Sequence, residues 1–198
     1  MKTKHIMLWI GLLICPIVKA QTQVESEKAY ITSVTKRSDK ILADLQIADS
    51  VKYKRVREVM VKQYVALNNL QKQTSTAQID QKRAELHQHY LTELSSQLTP
   101  EQVEKVKNGM TYGVLPVTYK AYTDMIPTLK EEEKLQIMSW LREARELAMD
   151  RGSSEEKHQV FGKYKGRINN YLSGRGYNIQ EERKNWEARM KASKSNGR

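Results

Sequence analysis

Between Gln21 and Thr99 the chain contains neither glycine nor proline. Sheet proteins need frequent tight turns, and those turns draw first on these two residues. A stretch this long without either fits long helices and little else. Apolar residues recur along it at helical spacing. Tyr30, Val34, Ile41 and Leu45 mark a first helix over about 25–45. Asp49 or Ser50 supplies an N-cap for a second, whose stripe is Val56, Val59, Met60, Tyr64, Leu67 and Leu70. After a polar stretch over 71–78 that reads as a turn or a solvated bend, Ile79, Leu86, Tyr90 and Leu94 mark a third.

The second half is punctuated. Thr99-Pro100-Glu101-Gln102 combines an N-cap, a proline at the first helical position and a capping-box glutamine, and the helix it opens should stop at Asn108-Gly109. Met110 to Pro127, rich in Tyr, Val, Gly and Pro, leaves room for a short helix over Val117–Met125 without requiring one. Thr128-Leu129-Lys130-Glu131 reads as a second capping box, opening a helix to about Asp150, and Ser153-Ser154-Glu155-Glu156 as a third, opening one to about Ser173. A charged last helix over about 181–191 has Trp186 as its one large apolar anchor. No run of strand period competes with these. The fold class is all-α: a single-domain bundle of six to seven helices.

The N-terminus reads as an export signal. Lys2 and Lys4 precede the uncharged apolar run Ile6–Val18, and Val18-Lys19-Ala20 then supplies a small-residue cleavage site before Gln21. The run is short for a membrane span. A lipoprotein reading would use Cys15, but Ile14 is bulky before it and Pro16 follows it. The expected division is a signal peptide at 1–20, a helical domain at 21–182 and a basic tail at 183–198. The mature protein would be periplasmic or extracellular, with no transmembrane anchor. Its one cysteine, Cys15, would leave with the signal, which excludes disulfides, thiolate metal sites and thiol nucleophiles.

The net charge is +11. Loss of Lys2, Lys4 and Lys19 lowers it to +8, and 183–198 holds six basic residues against Glu187, leaving about +3 on the body. The high charge therefore belongs mostly to the tail. Together with export, this argues against a nucleic-acid partner. His87 and His89 lie about 200° apart on a helical wheel and cannot share a ligand face. No glycine loop follows a strand to cradle phosphate. The sequence implies neither metal nor cofactor.

Two segments remain as candidate sites. Glu143, Glu146 and Asp150 fall within about 60° of one another near the end of the sixth predicted helix. That arrangement fits a solvated face neutralised by Arg142, Arg145 and Arg151, or acid/base chemistry with His158 nearby, as paired carboxylates perform in glycoside hydrolysis. In the following helix Gly162 and Gly166 leave a strip bare of side chains, with Asn169 and Asn170 a turn beyond. Two helical glycines cost about 1 kcal/mol each relative to alanine. The strip could seat another helix, or a ligand held by Asn169, Asn170, Lys163 and Lys165, while Arg167 could stack on an aromatic ring or pair with a carboxylate. Tyrosines outnumber phenylalanine ten to one, and Tyr112, Tyr119, Tyr122, Tyr164, Tyr171 and Tyr177 crowd the second half. Such rings suit either a bundle core or stacking on sugars.

Three segments, GMTYGVLPVTYKAY (109–122), LREARELAMDRGSSEEKH (141–158) and GKYKGRINNYLSGRGY (162–177), resemble the signatures of domain of unknown function 3826, a family of exported bacterial helical proteins. The resemblance covers Tyr30 to Tyr177 and leaves out the chain after Glu182. It implies a sugar-binding role in polysaccharide use by glycan-degrading bacteria such as Bacteroidetes, with no catalytic set to transfer. The ligand-binding candidates are Tyr112, Tyr119, Lys163, Arg167, Asn169 and Asn170, and the expected partner is a glycan. A glycan-cleaving hydrolase or lyase is the alternative. A second alternative follows from Leu98-Thr99-Pro100-Glu101-Gln102, which is similar to the Leu-Thr-x-x-Gln signature of Spy-type periplasmic helical chaperones.

Overall fold

The computed structural model describes residues 16–72 and 76–196, and side chains over 24–72 and 78–193. The expected leader and Cys15 lie outside the described residues, except that 16–20 open the first helix. Among the described residues there are eight helices and no strand: α1 (Pro16–Ala43), α2 (Ser50–Gln71), α3 (Thr76–Ser95), α4 (Pro100–Met110), α5 (Val114–Met125), α6 (Glu131–Met149), α7 (Ser154–Gly174) and α8 (Ile179–Asn196). The all-α class holds, with more helices than the six to seven expected. Part of the excess lies between Met110 and Pro127, where Pro116 falls in the first turn of α5 and removes no helical hydrogen bond there.

Local chemistry sets most boundaries. The Asp49 carboxylate accepts from Val51 N and Lys52 N at 2.8 and 3.1 Å and starts α2. Thr99 and Gln102 form a reciprocal box ahead of α4, as do Ser153 and Glu156 ahead of α7. The box expected at Thr128 is displaced. Helix α6 begins at Glu131, and its N-terminal contact is Glu133 Oε2 accepting from Lys130 N at 2.9 Å. Thr128 lies in a turn, Leu129 is buried in the core and Lys130 is extended, which delays the helix to Glu131.

Helices α1–α4 pack in a ring, α1 on α2, α2 on α3, α3 on α4 and α4 back on α1. Val34, Leu42, Val56, Met60, Tyr90 and Val106 are among the buried residues of that core. Helices α5–α8 form a second group around Ile137, Leu141, Ala144, Phe161, Ile168 and Leu172. Helix α6 joins the two: Met149 is buried in the first core and Ala148, one residue earlier, in the second. None of the helices is long and apolar enough among the described residues to cross a membrane.

Candidate functional site

A concavity of about 850 Å³ runs between α1 and the end of α4. Its position depends on one close approach. A Cβ added at Gly109 would lie 2.7 Å from Ile41 Cγ1, so the absence of a side chain there lets α4 seat against α1. Gly109→Val is expected to cost about 1–2 kcal/mol through overpacking against the stiff, buried Ile41, measurable as a lowered denaturant midpoint.

Just beyond, the chain reverses through two successive left-handed residues, Tyr112 at φ 57° and Gly113 at φ 66°. For glycine this conformation is free. For tyrosine it costs about 1–2 kcal/mol. Buried Thr111 anchors the reversal by donating its hydroxyl to Lys107 O and Asn108 O. The outcome is an aromatic ring held at the groove wall and 44% exposed. The Arg37 guanidinium lies 5.8 Å from the centre of that ring and 5.6 Å from that of Tyr64, and His158 packs edge-on against Tyr112 at 5.8 Å.

The groove is strongly positive. Lys36, Arg37 and Lys40 line it from α1, Lys105 lines it from α4, and Asp44 is the one carboxylate among its lining residues. Among the described residues, none of the four cations has a carboxylate within ion-pair distance. Four cations against one carboxylate leave the groove with a net positive field.

Behind the groove a polar seam ties α4, α6 and α3 together. Arg145, 2% exposed, donates to Asn108 Oδ1 and Glu104 Oε1 at 2.9 Å and to Glu146 Oε1 at 3.0 Å. Lys107 Nζ reaches Glu146 Oε2 at 2.9 Å. His87 sits between two carboxylates, with Nδ1 2.7 Å from Asp150 Oδ2 and Nε2 3.6 Å from Glu146 Oε2. The hydrogen bond with Asp150 raises the His87 pKa above its ordinary value, against the opposing effect of burial. Lys157 is fully buried in α7. Its Nζ donates to Ala148 O and Met149 O, the last carbonyls of α6, at 3.2 and 3.0 Å.

The structure does not bring the six predicted ligand residues together. Tyr112 stands in the groove. Asn169 lies in a separate slot between α5, α7 and α8, where its Oδ1 accepts from Tyr122 Oη at 2.7 Å. Tyr119 is half-buried against the second core, and Lys163 and Asn170 are exposed. Arg167 stacks over Trp140 at 4.5 Å and lies 3.8 Å from Glu143. Neither Gly162 nor Gly166 seats another helix, because a Cβ at either would meet nothing within 4 Å. The three carboxylates diverge: Glu143 faces Arg167, whereas Glu146 and Asp150 meet at His87. His158 joins Tyr112 instead of the carboxylates. Sequence reading missed the cations of α1, although Lys36 and Lys40, one helical turn apart beside Arg37, are a visible signal.

The chain matches the family described as protein of unknown function DUF3826 over residues 31–83 and 69–192. It belongs to the DUF3826 family. The DUF3826 match runs past Glu182, where the resemblance was expected to stop, and takes in most of α8. That helix is packed: Arg189 donates to Asp124 O and Met125 O at 2.9 and 3.0 Å, and Trp186 lies against the second core. The expected boundary at 182 therefore falls inside a docked helix. The DUF3826 span also contains the whole groove. No curated protein matches the chain.

Proposed function

We propose that this protein is an exported carbohydrate-binding module in polysaccharide use, and that it takes acidic oligosaccharides in the groove between α1 and α4. The observation that carries this reading is the set of four unneutralised cations facing an exposed tyrosine held in a strained backbone conformation. Backbone strain of this kind persists where the surroundings over-determine it, commonly at ligand sites. A tyrosine face suits the C–H surface of a pyranose, while Arg37 offers paired donors to a carboxylate or sulfate. A groove of this volume has room for a short oligosaccharide.

Binding is preferred over cleavage because the carboxylates are engaged. Glu146 is held by Lys107 and Arg145, and Asp150 Oδ2 by His87. It is preferred over a chaperone role because the large exposed apolar side chains are scattered over α1, α2, α5, α6 and α8. The test is calorimetric titration with acidic and neutral oligosaccharides of equal length. Acidic chains should bind, and the affinity should fall as salt rises. Arg37→Gln and Lys36→Gln should each weaken binding about tenfold, a loss of about 1.4 kcal/mol per contact. Tyr112→Gly should abolish binding with little change in stability, because relief of strain offsets the lost ring contacts. Equal binding of neutral chains, or unchanged binding by the Arg37 and Lys36 variants, refutes the proposal.

A further inference from the structure

A second cavity, about 290 Å³, lies between α5, α7 and α8, away from the basic groove. Val117, Ala121 and Met125 line it from α5, and the Trp186 indole lines it from α8. Val117 is 69% exposed, which leaves the slot open to solvent along α5. The engineered cavity that admits benzene in a well-studied lysozyme measures about 150 Å³. This slot is larger by enough for one ring carrying a short substituent.

Its polar lining is the nitrogen donors of Trp186, Asn169, Lys165 and Arg183 together with the hydroxyls of Thr118 and Tyr122. Trp186 Nε1 is buried with no hydrogen-bond partner, in a setting where indole N–H groups normally find one. Asn169 spends its carbonyl oxygen on Tyr122 Oη, and its amide nitrogen makes no hydrogen bond among the described residues. Lys165 and Arg183 also line the slot, both exposed, and neither has a carboxylate within ion-pair distance among the described residues. The exposed cations Lys165 and Arg183 and the free Asn169 amide suit a ligand that brings acceptors and negative charge, and the indole wall suits one with a flat face.

We infer that the slot binds a small aromatic carboxylate, a single ring bearing a carboxyl group, with its ring against Trp186 and its carboxylate toward Lys165 and Arg183. Nothing in this inference depends on what occupies the basic groove.

The probe is 4-hydroxycinnamate, titrated into the full-length protein by calorimetry with tryptophan fluorescence read in parallel, and its methyl ester serves as the uncharged control. Saturable binding with quenching of Trp186 emission is expected. The quenching should disappear in Trp186→Phe, which keeps the apolar wall. The ester should bind at least about tenfold more weakly than the acid, since it cannot form the charged contacts. Arg183→Gln should weaken the acid about tenfold and leave the ester unchanged. Ala121→Trp should fill the slot and abolish binding, with circular dichroism confirming that the variant folds. Lys36→Gln should bind the probe as the parent does. The inference is overturned if the acid fails to bind at millimolar concentration, if acid and ester bind equally, or if Arg183→Gln leaves the affinity of the acid unchanged.

Discussion

Arg145→Met is expected to lower the stability of this protein by about 3 kcal/mol, near the low end of the range for breaking a buried ion pair. The guanidinium is the one group that bonds Asn108 and Glu104 of α4 and Glu146 of α6 at once. Methionine fills similar space but takes the guanidinium donors from all three acceptors, leaving the two glutamates with Lys107 and Asn108 Oδ1 with no side-chain donor. Both glutamates are part-exposed and can recover water, which keeps the loss from reaching the top of the range. For a chain of this length the thermal midpoint should fall by about 6–12 °C. Glu104→Gln is the matched control. Its carboxylate is nearly half exposed, so its loss should cost less than about 1 kcal/mol. Equal midpoints for Arg145→Met and the parent would show that packing and the Lys107–Glu146 pair hold the seam between α4 and α6 without the guanidinium.

The second large effect is a rise in stability with pH between about 8 and 10. Burial pushes the Lys157 ammonium down to about 8, against partial support from Asp150. Between that value and the ordinary 10.5 the unfolded chain still carries the proton and the folded chain has shed it. The unfolded state binds more protons there, so stability increases with pH, by about 1.4 kcal/mol per unit and about 2 kcal/mol over the window. The gain is lost as pH falls through 8. Above pH 10 the trend reverses, because burial raises Tyr64 and Tyr122 to about 12, and the unfolded state then loses protons first. Urea titrations at pH 7.5, 8.5 and 9.5 should show the rise in the parent and not in Lys157→Met. A flat profile in the parent would mean that the ammonium stays charged in the interior.

Much of the helical frame could be read from residues that act locally. Asp49, Thr99 and Ser153 cap the helices assigned to them, and Val56, Met60, Tyr64, Leu67 and Leu70 are buried as their spacing required. The start of α6 was misplaced because Thr128 has the chemistry of a cap while the burial of Leu129, a tertiary fact, fixes the extended backbone. The glycines of α7 misled for the opposite reason. Their helical cost invited a packing partner, yet both face open space. Of the candidate sites, Tyr112 was reached through the clustering of tyrosines in the second half and the resemblance of residues 109–122 to the family signatures. The α1 cations Lys36, Arg37 and Lys40 were also visible as one face of a helix, but that they form a groove with Lys105 is set only by the fold. The pairing of His87 with Asp150 likewise joins helices far apart in the chain.

The sharing of α6 by the two cores bears on how this protein can change. Proteins built from separable parts diversify by exchanging them, and each part keeps its own stability. Here neighbouring residues of one helix, Ala148 and Met149, plug different interiors. A crossover placed before α6 would take Met149 from the first core, and one placed after it would strip the second of its central helix. Relatives that recombine within this span should therefore inherit it whole. Variation that the fold tolerates should fall on exposed positions away from the buried face of the shared helix.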